Sequence, residues 1–192
     1  MENTDTEVEI TDSSKQTKDW RKSQEWYVNG KKNECEIYQR SVIEKHIGKP
    51  VPKTNKRIDL EHMTLTDITD PLNKRNGFSY TEDFDGIIKN SDKEIYLNLK
   101  MICDSGGAQT RSIREVNHFI KGQYDYLCIS NSKNTYFANI IDGDQGYKYI
   151  DNNFEKQKAS LKDMSLWERY SGVKDNVFIG NLKQFFTWLD SL

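Results

Sequence analysis

Three polar residues in the segment DFDGIIKNSDKEIYLNLK, residues 83 to 100, have types and a spacing that suit phosphate chemistry. Asp85 precedes one apolar run, and Asn98 and Lys100 lie two residues apart in the next. Residues two apart share one face of a β-strand, so Asn98 and Lys100 are expected on the same face, opposite Asp85. A carboxylate there can ligate a hard divalent cation, and a nearby ammonium can orient water and offset phosphate charge.

Two simpler interpretations of the same residues remain open. Lys100 can extend from the sheet and form an ordinary ion pair with Asp85. Asp85 and Gly86 together are also a common turn signal, in which the aspartate would only cap the turn.

The elements that would position these residues follow from hydrophobic periodicity. Residues 49–77 are expected to be irregular, and NSDK is expected to form a hairpin turn. Helices are predicted within 29–52, where Gly48 and Pro50 end the helix, and at 104–127, 152–164 and 180–192, and strands at 78–90, 94–103, 126–130 and 135–143. In the second strand, Ile95, Leu97, Leu99 and Met101 should face one way and Tyr96, Asn98 and Lys100 the other. This order predicts an α/β (α+β) fold with a central mixed β-sheet flanked by helices.

Composition places the chain among folded proteins of one domain. Its 192 residues are 35% hydrophobic and carry a net charge of -2, so bulk charge does not indicate a strongly basic nucleic-acid binder. Residues 1–18 are predicted to be a disordered acidic tail and 19–192 a single domain. Three scattered cysteines, the lack of a signal-like segment and the lack of a long apolar run favour an intracellular, cytoplasmic or nuclear location without secretion or a membrane partner.

The pattern Asp85, twelve residues, Asn98-Leu99-Lys100 resembles the PD-(D/E)XK nuclease superfamily. The resemblance covers roughly residues 34 to 129 in element order, and it implies a restriction-endonuclease-like core. The segment NLK…GGAQTR further resembles nuclease-like proteins of large DNA viruses. The implied function is a metal-dependent endodeoxyribonuclease, restriction-type or viral, which uses Mg²⁺ or Mn²⁺ on DNA.

The resemblance also implies roles for individual residues. Asp85, Asn98, Glu34 and the Leu99 carbonyl would hold the metal, and Lys100 would be the catalytic lysine. Gln109, early in the following helix, would face the site. If the nuclease interpretation is right, the basic residues Arg111 and Arg114, one helical turn apart, and Lys74 and Arg75 in the preceding loop are candidates for DNA contact. Free amides after Gly106 and Gly107, where a helix begins, would favour phosphate, although these glycines can equally serve only a tight turn.

Asn98 departs from the resemblance, because the family has Asp or Glu there. An amide oxygen can ligate a cation but brings no charge. Three interpretations stay open: another carboxylate (Glu34, Asp83 or Asp104) compensates, the metal is held weakly until DNA binds, or the site is inactive. In the last case the chain would be a nuclease-fold module that binds DNA or protein. An active enzyme that cuts duplexes needs two sites, which a homodimer would supply.

Overall fold

The protein is a mixed α/β fold whose main sheet has four strands, which lie side by side in the order in which they follow along the chain. The computed structural model describes residues 9–67, 79–149 and 170–192, apart from the side chains of residues 108–110. The strands are β1 (Lys56–Asp59), β2 (Thr64–Asp67), β3 (Gly86–Asn90), β4 (Lys93–Met101), β5 (Thr135–Asp142) and β6 (Val177–Gly180). The helices are α1 (Lys18–Ser23), α2 (Glu34–Ile47), α3 (Gly107–Ser130) and α4 (Leu182–Asp190). The predicted helix at 152–164 lies outside the described residues.

The hairpin of β3 and β4 forms as the sequence predicts. The two strands are antiparallel, with Asn90 opposite Lys93, and Ser91 in the turn has a positive φ of 52°. Alternation along β4 is confirmed, because Ile95, Leu97 and Leu99 enter one core cluster and Tyr96 enters another.

Helix α3 carries the chain from β4 to the parallel strand β5. It runs for 24 residues to Ser130, so the strand predicted at residues 126–130 is wrong. Those residues continue the helical stripe, and the turn comes only at Asn131, which adopts the left-handed conformation with φ 52°.

Among the helices of residues 9–67, 79–149 and 170–192, none combines the length and the apolar character needed to cross a bilayer.

Three short strands were not expected from the sequence. β1 and β2 form an antiparallel hairpin within residues 49–77, which were predicted to be irregular. β6 adds a parallel strand beside β5 at the edge of the main sheet. The strand predicted at 78–90 begins in the main sheet only at Gly86, because the residues before it pair with β1 instead.

Two apolar layers hold the helices against the main sheet. On one face, α2 and α4 contribute Val42, Ile43 and Phe185 to a cluster with β4, β5 and β6. On the other face, Phe119 and Leu127 of α3 pack with residues of β1, β3, β4 and β5. The sheet therefore lies between two helical layers, and β5 is buried along almost its whole length.

Residues 9–18, which belong to the tail predicted to be disordered, include a short 3-10 helix that meets the end of β5. Asp12 caps this helix, and the Gln16 side chain is fully buried. Gln16 accepts a hydrogen bond from the Gly143 amide at 2.9 Å, and its carbonyl accepts one from Asp144 at 3.0 Å. Residues 1–8 lie outside the described residues.

Asp142, the last residue of β5, is a fully buried carboxylate that joins several distant segments. It accepts hydrogen bonds from Ser13 Oγ at 2.9 Å, Gln39 Nε2 at 2.8 Å and the Leu182 amide at 3.3 Å. Burial raises its pKa, and the bonds from Gln39, Ser13 and Leu182 oppose that rise. These donors tie the N-terminal segment, α2 and the first turn of α4 to one side chain.

Replacing this carboxylate should destabilise the whole domain. Asp142→Ala removes the common acceptor of three donors and leaves them buried without it, so the free energy of unfolding should fall by on the order of 3 kcal/mol. Urea unfolding followed by tryptophan fluorescence measures this change. Asp175→Ala, at an exposed aspartate, is the control and should stay close to wild type. Equal stability of the two variants would contradict the role assigned to Asp142.

Candidate functional site

The predicted site lies at Asp85, where the chain leaves its pairing with β1 and begins its pairing with β4. We refer to this point as the fork. Before Asp85 the chain pairs with β1, since the Phe84 amide donates to the Lys56 carbonyl at 2.9 Å. At Asp85 it turns to β4, where the Asp85 amide donates to the Leu97 carbonyl at 2.8 Å. The next β4 amide, Leu99, donates to Asp85 Oδ2 at 2.6 Å, so a carboxylate takes the place of a ladder carbonyl. The fork therefore sets the Asp85 carboxylate beside the Asn98-Leu99-Lys100 stretch.

The charge of Asp85 is governed by opposing effects. The pKa of Asp85 is raised to about 6, chiefly by burial and to a lesser extent by the nearby Glu36 carboxylate. The Leu99 amide, Lys100 and Arg40 act in the other direction. Such a carboxyl group lies in a site where an added positive charge would favour its ionised form.

Lys100 does not form the simple ion pair with Asp85 that the sequence left open. Its Nζ lies 4.0 Å from Oε2 of Glu115 on α3, and its side chain is 27% exposed. Glu115 also accepts a hydrogen bond from Arg111 Nε at 3.1 Å. The ammonium of Lys100 is thus held on the α3 face of the sheet, partly open to solvent.

Asn98 lies on the same face as Lys100, as predicted, but it is buried within a network of amides. Its Nδ2 donates to Asn139 Oδ1 at 3.1 Å, and Gln123 Nε2 donates to the same oxygen at 3.0 Å. Asn139 Nδ2 donates in turn to Gln123 Oε1 and to the Phe178 carbonyl. The network orients the Asn98 side chain so that its amide nitrogen, Nδ2, faces Asn139. It also requires a hydrogen-bond donor at position 98, which an ionised Asp or Glu cannot provide.

The three carboxylates considered as substitutes for an acid at position 98 are each engaged elsewhere. Glu34 accepts hydrogen bonds from the amides of Asn29 and Gly30 at the start of α2. Asp83 is bound to the buried Arg57, and Asp104 is bound to Lys18 and Arg21.

The acid that α2 brings near Asp85 is Glu36, which sequence reasoning did not select. Glu36 contacts Arg40 at 3.5 Å and Lys53 at 3.7 Å, and Arg40 Nη1 donates to the Asp85 carbonyl at 3.2 Å. The spacing of Glu36 and Arg40, four residues apart on a helix, was the signal in the sequence that could have identified Glu36.

A comparable signal in the sequence could have identified Glu115. It lies four and eight residues before Phe119 and Gln123, on the same stripe of α3.

The oxygen donors at the fork fit a weakly held Mg²⁺ or Mn²⁺. Asp85 offers a carboxylate, Leu99 a carbonyl and Asn98 an amide oxygen, which are the hard donors these ions prefer. Within the described part of the chain, no three His, Cys, Asp or Glu side chains lie close enough to hold a metal ion by themselves. Mg²⁺ commonly keeps several waters and takes further ligands from phosphate, so such a sparse set is compatible with it.

The segment that leads into α3 is open. A Cβ added at Gly106 or Gly107 would meet nothing within 4 Å, and Gly106 has an extended φ of 174°. Neither glycine is therefore required by a left-handed turn or by packing. Arg111 and Arg114 are exposed on the following turns of α3. The side chain of Gln109, together with Lys74 and Arg75, lies outside the described residues.

No family model, curated protein sequence or solved structure matches the chain.

The raised pKa of Asp85 predicts a stability gain on its neutralisation. The pKa of Asp85 is about 6 in the folded protein, against an ordinary value of 3.8. The free energy of unfolding therefore falls as the pH rises from 3.8 to about 6, and this loss is complete above that range. Asp85→Asn keeps an acceptor for the Leu99 amide and does not titrate. It should exceed wild type by on the order of 2 kcal/mol at pH 7.5, and the difference should shrink towards pH 4. Urea unfolding across this pH range measures it, and a pH-independent difference would contradict the assignment.

The amide network predicts the opposite outcome at position 98. Asn98→Asp places a carboxylate oxygen against Asn139 Oδ1, so the free energy of unfolding should fall by on the order of 2 kcal/mol at pH 7.5. The loss should be smaller at low pH, where the protonated carboxyl can donate. The control is Asn134→Asp, an exposed asparagine at which the same change should have little effect. Full stability of Asn98→Asp at pH 7.5 would show that the network does not require a donor there.

Proposed function

We propose that the protein is a metal-dependent endodeoxyribonuclease. The observation that carries this proposal is the fork, where the Asp85 carboxylate accepts the Leu99 amide at 2.6 Å beside the strand that bears Lys100. Burial disfavours the ionised form of Asp85, and a divalent cation bound beside it would favour that form. The resemblance to PD-(D/E)XK nucleases agrees with this arrangement, and a restriction-endonuclease-like core is part of the proposal.

Each residue at the fork has a distinct task in the proposed reaction. Asp85, the Leu99 carbonyl and the Asn98 amide oxygen would hold Mg²⁺ or Mn²⁺. The bound ion supplies Lewis-acid polarisation of the phosphoryl oxygen and lowers the pKa of a coordinated water. Lys100 Nζ orients the attacking water and offsets the charge that develops on the phosphate oxygens. Glu115, 4.0 Å from that nitrogen, holds it on the α3 face and is a positioning residue.

Glu36 takes the auxiliary role that the sequence assigned to Glu34. Its charge lies close enough to affect Asp85, and it is restrained by Arg40 and Lys53. DNA would contact the exposed Arg111 and Arg114 on α3, next to the open glycine segment. A homodimer acting on both strands stays a prediction, as do the restriction-type and viral alternatives.

A second candidate function, a DNA-binding module that does not cut, is favoured by one observation. Asn98 is held by Asn139 in a buried network, so the position that carries an acid in the resembling nucleases is committed to a neutral donor. A module of this kind would bind DNA in a salt-dependent manner without hydrolysis.

Cleavage of plasmid and single-stranded DNA separates the two candidate functions. The wild-type protein should cut with Mg²⁺ or Mn²⁺ and stop when EDTA is added. Lys100→Ala and Asp85→Ala should each reduce the rate by at least about 100-fold, because they remove groups that act on the reacting phosphate. Lys121→Ala, at an exposed lysine of α3 paired with Asp125, is the matched control and should cut like wild type.

Other outcomes of this assay would overturn the nuclease proposal or move its site. Salt-sensitive DNA binding by a folded protein that never cuts would indicate the binding module. Undiminished cutting by Lys100→Ala would show that the reaction takes place elsewhere.

A further inference from the structure

The loop between α1 and α2, residues 24–33, is held in one conformation although it carries no regular secondary structure. We refer to it as the α1–α2 loop. The Glu34 carboxylate accepts hydrogen bonds from the Asn29 amide at 3.2 Å and from the Gly30 amide. Gly30 has a φ of +72°, which favours glycine, and Asn29 Oδ1 accepts the Lys31 amide at 3.0 Å. The Glu34 carboxylate therefore has a structural role, because it holds two backbone amides of the loop in place.

Aromatic side chains pack the loop against α1 and α2. Trp26 stacks on Tyr38 of α2 with ring centroids 4.4 Å apart, and Trp20 meets Trp26 edge-on at 6.3 Å. Arg21 lies over the Tyr27 ring at 5.1 Å from its centroid. The loop is therefore prepared for contact, because little conformational entropy remains to be lost on binding.

The tip of this ordered loop is apolar and its end is basic. Val28 is 76% exposed, the largest exposed fraction among the large apolar side chains of the described residues. Lys31 and Lys32 follow and are both exposed. A single exposed apolar residue is ordinary by itself. DNA is a polyanion whose sugars and bases also present apolar surface. It would therefore complement a rigid loop that has an aliphatic tip and two lysines within the next four residues.

The loop lies near the end of β4 that carries Lys100. Arg21, in the helix α1 that precedes the loop, binds Asp104, which follows β4 by three residues. At its other end the chain enters α2, where Gln39 Nε2 donates to the Lys100 carbonyl at 3.1 Å. Glu34 and Gln39 are five residues apart on this helix, a rise of about 7.5 Å. DNA that crosses the end of β4 at Lys100 would thus pass close to the loop.

We propose that the α1–α2 loop is a DNA-contacting element, with Lys31 and Lys32 on phosphates and Val28 against sugar or base edges in a groove. This inference rests on the proposed nuclease function and extends it. DNA is favoured over a protein partner because lysines are depleted from protein interfaces and because one apolar side chain is far from the roughly 800 Å² that each protein partner buries. Aliphatic side chains are used in this way by proteins that open a base step.

The test is DNA binding by the full chain, measured by fluorescence anisotropy with a labelled duplex in EDTA over a range of NaCl concentrations. Lys31→Ala/Lys32→Ala should weaken binding and reduce the slope of log affinity against log salt by about two. Val28→Ser should weaken binding by about tenfold with an unchanged slope. In parallel cleavage assays both variants should raise KM and leave kcat close to wild type.

The matched controls lie at the other end of the molecule. Ile129 is 56% exposed near the end of α3, and Lys133 is exposed shortly after it. Ile129→Ser and Lys133→Ala make the same chemical changes and should bind and cut like wild type. Thermal midpoints equal to wild type would confirm that all four variants are folded.

Two results would overturn the inference, and they are distinguishable. If wild type cuts DNA and the loop variants bind and cut as it does, the nuclease proposal stands and the loop contacts something else, such as a protein. If wild type neither binds nor cuts DNA, the proposed function fails and the loop inference falls with it.

Discussion

The buried carboxylate of Asp142 is the interaction on which the rest of the fold depends. It draws donors from Ser13, Gln39 and Leu182, which are 129, 103 and 40 residues away along the chain. A carboxylate in such a place is stable only when its donors are in position. Gln39 uses the same amide nitrogen to reach the Lys100 carbonyl at 3.1 Å. The contact that closes the domain therefore also sets α2 against the strand that carries the candidate catalytic lysine.

The candidate site departs from the packing rules that the rest of the sheet obeys. Elsewhere β4 and β5 fill both faces with Ile, Leu and Phe, but at Asn98 and Asn139 an amide network replaces them. Asp85 lies in surroundings that favour its neutral form, although it is the group best placed to ligate a cation. Departures of this kind concentrate at functional sites, where local stability is given up for chemistry. Their concentration at one fork is the physical basis for proposing a function there.

Local periodicity accounts for what the sequence predicted. α2, α4 and β4 carry clear patterns, and Asp85, Asn98 and Lys100 meet because one hairpin joins them. β1, β2 and β6 have four residues each, too few to show a period, and their pairing depends on distant segments. The choice between Glu34 and Glu36 depends on helix rotation, because residues two apart point about 200° apart. Glu115 reaches Lys100 only through the packing of α3 on the sheet, which no local pattern specifies.

The fork at Asp85 joins two sheets that are otherwise separate, and this has a mechanical meaning. Upstream of it the chain is fastened to β1, with Arg57 and Asp83 paired two residues away. Downstream it is fastened to β4, which is clamped by its neighbours on both sides. The hairpin of β1 and β2 is thus connected directly to Asp85, the carboxylate proposed to bind the metal, and Ile58 of β1 is buried in the same cluster as Phe84 and Phe119. Because β1 shares this core with α3 and with the strands of the main sheet, the position of Asp85 is fixed by the packing of both sheets together.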